Sequence, residues 1–264
     1  MLGIALAAAA AGSGCAGSAS SETPPEPQVA PRPDGTAAAG SSKASDALAG
    51  LAAVAKGRSF TAEYKLTRGD GKPKTVEVAV AEDGTWRVDV QGGAHGGKKD
   101  VAIVGNKRGY FQCVLEDDEF CAHLAPSDGE LPKSVDPVVP HLFTDWLDVW
   151  IDRKAPLSIA YAEAWDGVDA DSQCFSVEPS SATVSAPLPS GTYCLSEDGV
   201  VTAAKAGFGQ VMLDGKVEEG SAKTKLPAEV TDDKPLSTSP PPSPTPSKTK
   251  DKEDKEEESE KPED

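Results

Sequence analysis

Histidine is scarce in this chain: its 264 residues hold three, His95, His123 and His141. None has a cysteine or carboxylate at a spacing that builds a local metal cluster, and each reads as a surface or capping residue. There is no Gly-x-Ser-x-Gly elbow and no Cys-x-x-Cys pair, and the glycine-rich stretch 92–97 lacks the Gly-Lys-Ser/Thr ending of a phosphate loop. Asp166, Asp169 and Asp171 miss the EF-hand spacing and its closing glutamate, so they read as solvated loop carboxylates. From these absences the chain is expected to be no enzyme and to take no cofactor and no metal. Basic residues are also short: 26 Lys and Arg stand against 43 Asp and Glu, a net charge of −17. That balance argues against a nucleic-acid partner, whose phosphates need a basic surface. No apolar run approaches the roughly 20 residues of a membrane-spanning helix.

What the N-terminus does have is a short apolar run, residues 2–11, closed by Gly12-Ser13-Gly14-Cys15. Its length fits the apolar region of a signal peptide with small residues ahead of a cleavage point. A cysteine directly after small residues is where a secreted lipoprotein receives acyl groups, and two chains hold a protein at a membrane far better than one. The reading is therefore a signal peptide over 1–14, a lipidated Cys15, and attachment at the extracytoplasmic face of the cell membrane. Two features depart from it. No Lys or Arg precedes the run, and Gly12 stands where the bacterial lipoprotein box carries an aliphatic residue. Either the true start lies upstream or the signal is a poor match.

Setting Cys15 aside leaves four cysteines, Cys113, Cys121, Cys174 and Cys194, an even number in a chain with an export signal. Structural disulfides are expected. Three pairings exist; the sequential one, Cys113–Cys121 and Cys174–Cys194, is preferred because each pair is flanked by segments that look like neighbouring strands.

Residues 15–44 read as the lipidated cysteine and a Ser/Pro/Gly/Ala tether without apolar periodicity. Residues 230–264 read as a disordered tail, Pro/Ser/Thr-rich from Ser237 and then almost wholly charged. One domain remains, 45–229, large enough for a core. It opens with a helix over 45–56, its stripe formed by Leu48, Leu51 and Val54 and its stop by Gly57. Three alternating strands follow. Phe60, Ala62, Tyr64 and Leu66 share one face, as do Val76, Val78 and Val80, and then Trp86, Val88 and Val90. Arg68-Gly69-Asp70-Gly71 and Glu82-Asp83-Gly84 are turn sequences that make these an antiparallel meander, wet on one side. A glycine-rich loop over 91–100 leads into a hairpin with arms 101–104 and 110–114. A second helix is expected over 136–151, capped by Asp136, with Pro137 in its first turn. Strands resume over 157–162, 174–177, 191–195, 200–204 and 209–213, and 216–226 adds an edge strand. The fold class that results is α+β: one strongly curved antiparallel sheet with helices packed on its concave face.

One side of the second helix carries Val139, Leu142, Phe143, Trp146, Leu147 and Trp150. Two readings stay open. The stripe is ordinary packing onto the sheet, or Val139, Phe143, Trp146 and Trp150 roof an apolar cleft whose opposite wall is Trp86, Val88 and Val90. A filled core and a lined cavity share the same residue pattern.

The motifs Ser59-Phe60-Thr61-Ala62-Glu63-Tyr64, Asp83-Gly84-Thr85-Trp86-Arg87-Val88-Asp89-Val90, Tyr110-Phe111-Gln112-Cys113 and Gly191-Thr192-Tyr193-Cys194 follow the anchoring cysteine, tether and helix. In order and style they resemble cell-envelope lipoproteins of high-GC Gram-positive bacteria with a fold like the periplasmic carrier LolA and the mycobacterial LprG/LppX group. The resemblance implies a half-barrel over 45–229 that holds or carries a lipid. The two disulfides and the acidic tail depart from the best-known members. The function expected first is an anchored lipid-binding protein; the alternative is a non-catalytic surface scaffold, interaction or sensor domain with a packed core, its tail meeting a cell-wall or protein partner.

Overall fold

A computed structural model describes residues 36–116 and 119–241. Helix α1 (Thr36–Lys56) leads into a meander of β1 (Phe60–Thr67), β2 (Lys74–Val80), β3 (Trp86–Ala94), β4 (Lys99–Asn106), β5 (Gly109–Val114) and β6 (Cys121–Ala125). A 3-10 turn (Val139–Phe143) and helix α2 (Asp145–Ile151) carry the chain across. A second meander follows: β7 (Leu157–Ala162), β8 (Gln173–Pro179), β9 (Gly191–Leu195), β10 (Val201–Ala206) and β11 (Gly209–Glu219), with a two-residue β12 (Val230–Thr231) last. The described strands all join one sheet in the order β12-β6-β5-β4-β3-β2-β1-β11-β10-β9-β8-β7.

The pairing of β1 with β11 is the join between the two meanders. Tyr64 lies opposite Leu213 and Leu66 opposite Val211. The register shift between Thr61 and Glu63 lets β11 run on to Glu219 beside Phe60. Residues 216–219 are thus the end of an interior strand, not a separate edge strand over 216–226.

The expected half-barrel is not formed. The sheet is open, ending in β12 on one side and β7 on the other, and it is mixed because β12 runs parallel to β6. It is neither closed nor strongly curved, and two α-helices are found among the described residues. The two end strands do not pair with each other: β12 pairs with β6 through Val230 and Thr231, and β7 pairs with β8.

Local departures have equally local causes. Helix α1 starts at Thr36, within the segment read as tether, because alanine is the best helix former and composition alone does not separate an Ala-rich helix from a linker. Its buried face is Ala44, Leu48, Ala52 and Ala55, while Val54 is 50% exposed, so the inferred stripe was rotated toward solvent. The alanines allow close approach: at Gly199 (φ 78°), in the β9–β10 turn, a Cβ would come within 2.5 Å of the Leu51 carbonyl. The continuous helix over 136–151 is instead a 3-10 turn followed by α2. Pro140 has no N–H to donate and its ring crowds the preceding turn, Val138 adopts φ 70°, and Asp136 accepts the Val138 N–H at 2.7 Å rather than capping a helix. In the glycine-rich stretch 91–100, β3 continues to Ala94 and β4 begins at Lys99, leaving a tight turn.

Candidate functional site

The residues expected to line a lipid cleft are brought together, but as the interior itself. Val88, Val90 and Val139 are fully buried, Trp150 is 1% exposed, and Phe143 and Trp146 are buried with them in one apolar cluster. Ring contacts fill the space between helices and sheet. Phe143 meets Tyr64 at 4.8 Å, Trp150 meets Tyr193 edge-on at 5.2 Å, and Trp146 lies 5.7 Å from Phe208. Among the described residues no curved half-barrel cavity is present to hold a lipid, which corrects the expectation of a lipid-binding protein. Trp86 alone among the expected wall residues is half-buried and reaches a surface cleft.

That cleft, about 400 Å³, lies between the tips of the β2–β3 and β4–β5 hairpins. Asp83, Thr85, Trp86, Asn106, Lys107 and Tyr110 line it, with Ser127 alongside. Trp86, Gly105 and Tyr110 occupy one row across β3, β4 and β5. The glycine is required there: a Cβ at Gly105 would stand 2.3 Å from the Trp86 indole. The two rings sit 6.0 Å apart, tilted by 41°. Both turns are fixed from within. Asp83 Oδ1 accepts the Thr85 hydroxyl (2.6 Å) and N–H (3.0 Å), and Thr85 Oγ1 accepts the Thr224 N–H at 2.9 Å. Asn106 Oδ1 accepts the Arg108 N–H at 2.8 Å. The Thr85 hydroxyl and N–H hold the Asp83 carboxyl below the usual carboxylate range, with Lys223 and Lys107 adding to this.

The wet face of the sheet is acidic. Glu63, Glu77 and Asp89 stand directly opposite one another across β1, β2 and β3, an arrangement that repels. Lys65 offsets it by pairing with Glu63 (2.6 Å) and Asp214 (3.0 Å), and Arg87 donates to both oxygens of Asp89 (2.6 and 2.5 Å). A shallow space of about 340 Å³ lies over this row. Among the described residues no group of three or more His, Cys, Asp or Glu could hold a metal ion.

The histidines are taken up by structure. His123 packs edge-on against Phe111, and His95 occupies a left-handed turn position at φ 51°. His141 bridges two carboxylates, Nε2 to Asp136 at 2.8 Å and Nδ1 to Asp145 at 2.6 Å, and stacks on Trp146. Burial, the largest single influence, disfavours the imidazolium, but the two carboxylates together outweigh it and push the pKa up to about 9. The folded pKa is raised, so the stabilisation is fully present below the unfolded pKa of about 6.5 and is lost as pH rises through about 9. A loss on the order of 3 kcal/mol across that window is expected. Urea unfolding at intervals from pH 6 to 10 should show it, and His141→Asn should flatten the curve.

One feature escaped the sequence reading. The segment assigned to a disordered tail is docked as far as Thr238. Leu226 and Ala228 cover the face of the sheet carrying Phe111 and Cys113, and Val230–Thr231 pair with β6. The strap then crosses to the opposite face, where the buried Gln112 reads Leu236 in both directions. Leu236 N–H donates to Gln112 Oε1 at 2.6 Å, and Gln112 Nε2 donates to the Leu236 carbonyl at 3.0 Å. His95 and Gly96 N–H groups donate to the Ser237 and Thr238 carbonyls (2.8 and 2.9 Å), and Thr238 N–H donates to Ser134 O at 2.9 Å. A buried glutamine at an inward strand position, between Tyr110 and Val114, was the available signal. Gln112→Leu keeps the volume and removes these bonds, so it should cost about 1–3 kcal/mol and accelerate amide exchange at Leu236 and Thr238; unchanged exchange there would contradict the strap's dependence on Gln112.

The structure pairs Cys113 with Cys121 and Cys174 with Cys194, each bridging directly opposed strand residues. The segments read as a signal peptide (1–14), a lipidated Cys15 and a tether up to residue 35, and the part of the expected tail from residue 242, lie outside the described residues. No described helix is long and apolar enough to cross a membrane.

No protein-family model matches the sequence, and no curated protein matches it. Among solved structures, the crystal structure of MucB is similar, with 18% identity and a TM-score of 0.37 over 76% of this chain. The chain spans 66% of that MucB chain. The expected resemblance to LolA and the LprG/LppX group is corrected by the fold: the sheet is open and mixed, and it does not support the LolA-like reading or the lipoprotein and signal-peptide readings that came with it.

Proposed function

We propose that this chain is a non-catalytic interaction or scaffold domain with a packed core, working on the extracytoplasmic side of the cell membrane. The observation that carries the reading is the interior: the residues that would have lined a ligand cavity fill it with one another. A rigid core with two cross-strand disulfides suits a surface that must keep its shape outside the cell. Support for a role without turnover comes from His141, both of whose ring nitrogens are committed to carboxylates. The anchor at Cys15 belongs to this proposal on the strength of the small residues before it. Native mass spectrometry of the full chain from its own host tests the core reading, with no co-purifying lipid and no saturable uptake of a fluorescent fatty acid expected. Stoichiometric lipid would overturn it. Labelled palmitate incorporated by the native chain and lost in Cys15→Ser is the expected result for the anchor; an unlabelled native chain would remove the anchor alone.

A further inference from the structure

The cleft between the hairpin tips has the composition of a recognition site rather than of a gap between turns. Small-ligand sites combine apolar or aromatic walls with a few fixed polar groups. Here Trp86 and Tyr110 form an aromatic corner, both rings half-buried and tilted toward each other over Gly105. Around the corner stand an acceptor, a neutral amide, a donor and a hydroxyl: Asp83, Asn106, Lys107 and Ser127. Asp83 spends Oδ1 on Thr85, which leaves Oδ2 as an acceptor, and Asn106 spends Oδ1 on Arg108, which leaves its NH₂ as a donor. Asp83 and Asn106 are held in place by these bonds before any ligand arrives. Gly105 leaves the space that the indole occupies, and the Asp83–Thr85–Thr224 bonds hold the opposing turn.

The ligand chemistry follows from this inventory. An apolar chain would leave the polar groups unpaired, at a cost. An anion would meet Lys107 but also Asp83, within a chain of net charge −17. A pyranose ring satisfies both halves. Its C–H face packs on an aromatic plane, and each vicinal hydroxyl donates and accepts, as a carboxylate beside an amide requires. The volume of about 400 Å³ lies in the range of small-molecule sites.

We propose that the Trp86–Tyr110 cleft binds a neutral pyranose unit of an extracellular glycan. This inference rests on the reading of the domain as a non-catalytic interaction module and names its partner class.

The test uses the full-length oxidised chain labelled with ¹⁵N and three probes: the β-1,4-linked N-acetylglucosamine trimer, cellotriose and α-linked mannotriose. The indole N–H resonance of Trp86, assigned by its disappearance in Trp86→Phe, should shift saturably with at least one of them. Asn106→Ala and Tyr110→Ala, their folds verified by unchanged disulfide mass and cooperative unfolding, should each weaken binding about tenfold or more. No shift with any probe at millimolar concentration would overturn the glycan site and leave the scaffold reading standing. A shift that persists undiminished in both variants would overturn it equally. Shortening of a bound probe, followed by mass spectrometry, would overturn the non-catalytic reading while leaving the site.

Discussion

Replacing Trp150 by alanine is expected to cost about 3–5 kcal/mol of folding stability, the range for emptying a large aromatic from a packed interior. Trp150 is 1% exposed and packs edge-on against Tyr193, 5.2 Å between ring centres, at the point where α2 meets β9. The cost has two parts, the transfer of the indole to water and the cavity left behind. Relaxation is limited because Tyr193, against which the indole packs, is itself fully buried in the same apolar cluster and donates its hydroxyl to the Pro189 carbonyl. Urea unfolding of the oxidised protein measures the loss, and a change under 1 kcal/mol would contradict a close-packed core. Trp150→Phe separates packing from polarity. The Trp150 indole N–H has no hydrogen-bond partner among the described residues, so phenylalanine removes an unpaired donor along with part of the ring. Its cost should fall well below that of alanine.

The second large effect concerns the disulfides. Removing Cys174–Cys194, whose partners are 20 residues apart, should cost about 3 kcal/mol, and Cys113–Cys121, 8 apart, about 2.5 kcal/mol. The difference arises because a longer closed loop restricts the unfolded chain more. Both bridges join residues already opposed across antiparallel strands, so the bonds secure registers that the strands choose for themselves. They differ in what surrounds them. Cys174–Cys194 is packed with Ala203 beneath Trp165 and Met212, whereas Cys113–Cys121 lies under Leu226 and Ala228 of the C-terminal strap. Paired Cys→Ala variants unfolded in guanidinium measure each term. Loss of the first bridge should leave strap exchange unchanged, and loss of the second should also accelerate it at Glu229 to Thr231, because Cys121 N–H donates to Glu229 O at 2.8 Å. Equal strap exchange in the two variants would contradict this assignment.

The acidic row shows how a locally unfavourable choice is made tolerable. Glu63, Glu77 and Asp89 face one another across three strands, yet Lys65 and Arg87 lie in the same patch and hold two of them. Alternation along β1, β2 and β3 puts Glu63, Lys65, Glu77, Arg87 and Asp89 on the face opposite their buried neighbours. Which of them would stand opposite depended on register, and register is a property of paired strands.

Much of the strand pattern was legible because alternation in β1, β2 and β3 is a local consequence of burying one face. The turn residues between them, and the even set of four cysteines, belong to the same local level. The features that eluded the sequence are long-range or conformational. The strap was read as disorder because its Pro/Ser/Thr composition buries little, but it docks through backbone groups and one glutamine. Its Leu236 is met by Gln112, 124 positions earlier, a distance no periodicity reports. The Trp86–Tyr110 cleft was invisible for a related reason: its walls come from two hairpins and a loop, and each tip alone is an ordinary turn.

By itself the sequence determined the faces of the strands and the apolar content of the interior, since these depend on neighbours two to four residues away. Tertiary structure alone decided that β1 joins β11, that the sheet stays open, and that Val139, Phe143, Trp146 and Trp150 fill the interior instead of roofing a cavity. The physical reason is that an apolar side chain specifies burial but not against what: the same stripe packs on a sheet or lines a void, and only the distance between the elements distinguishes the two.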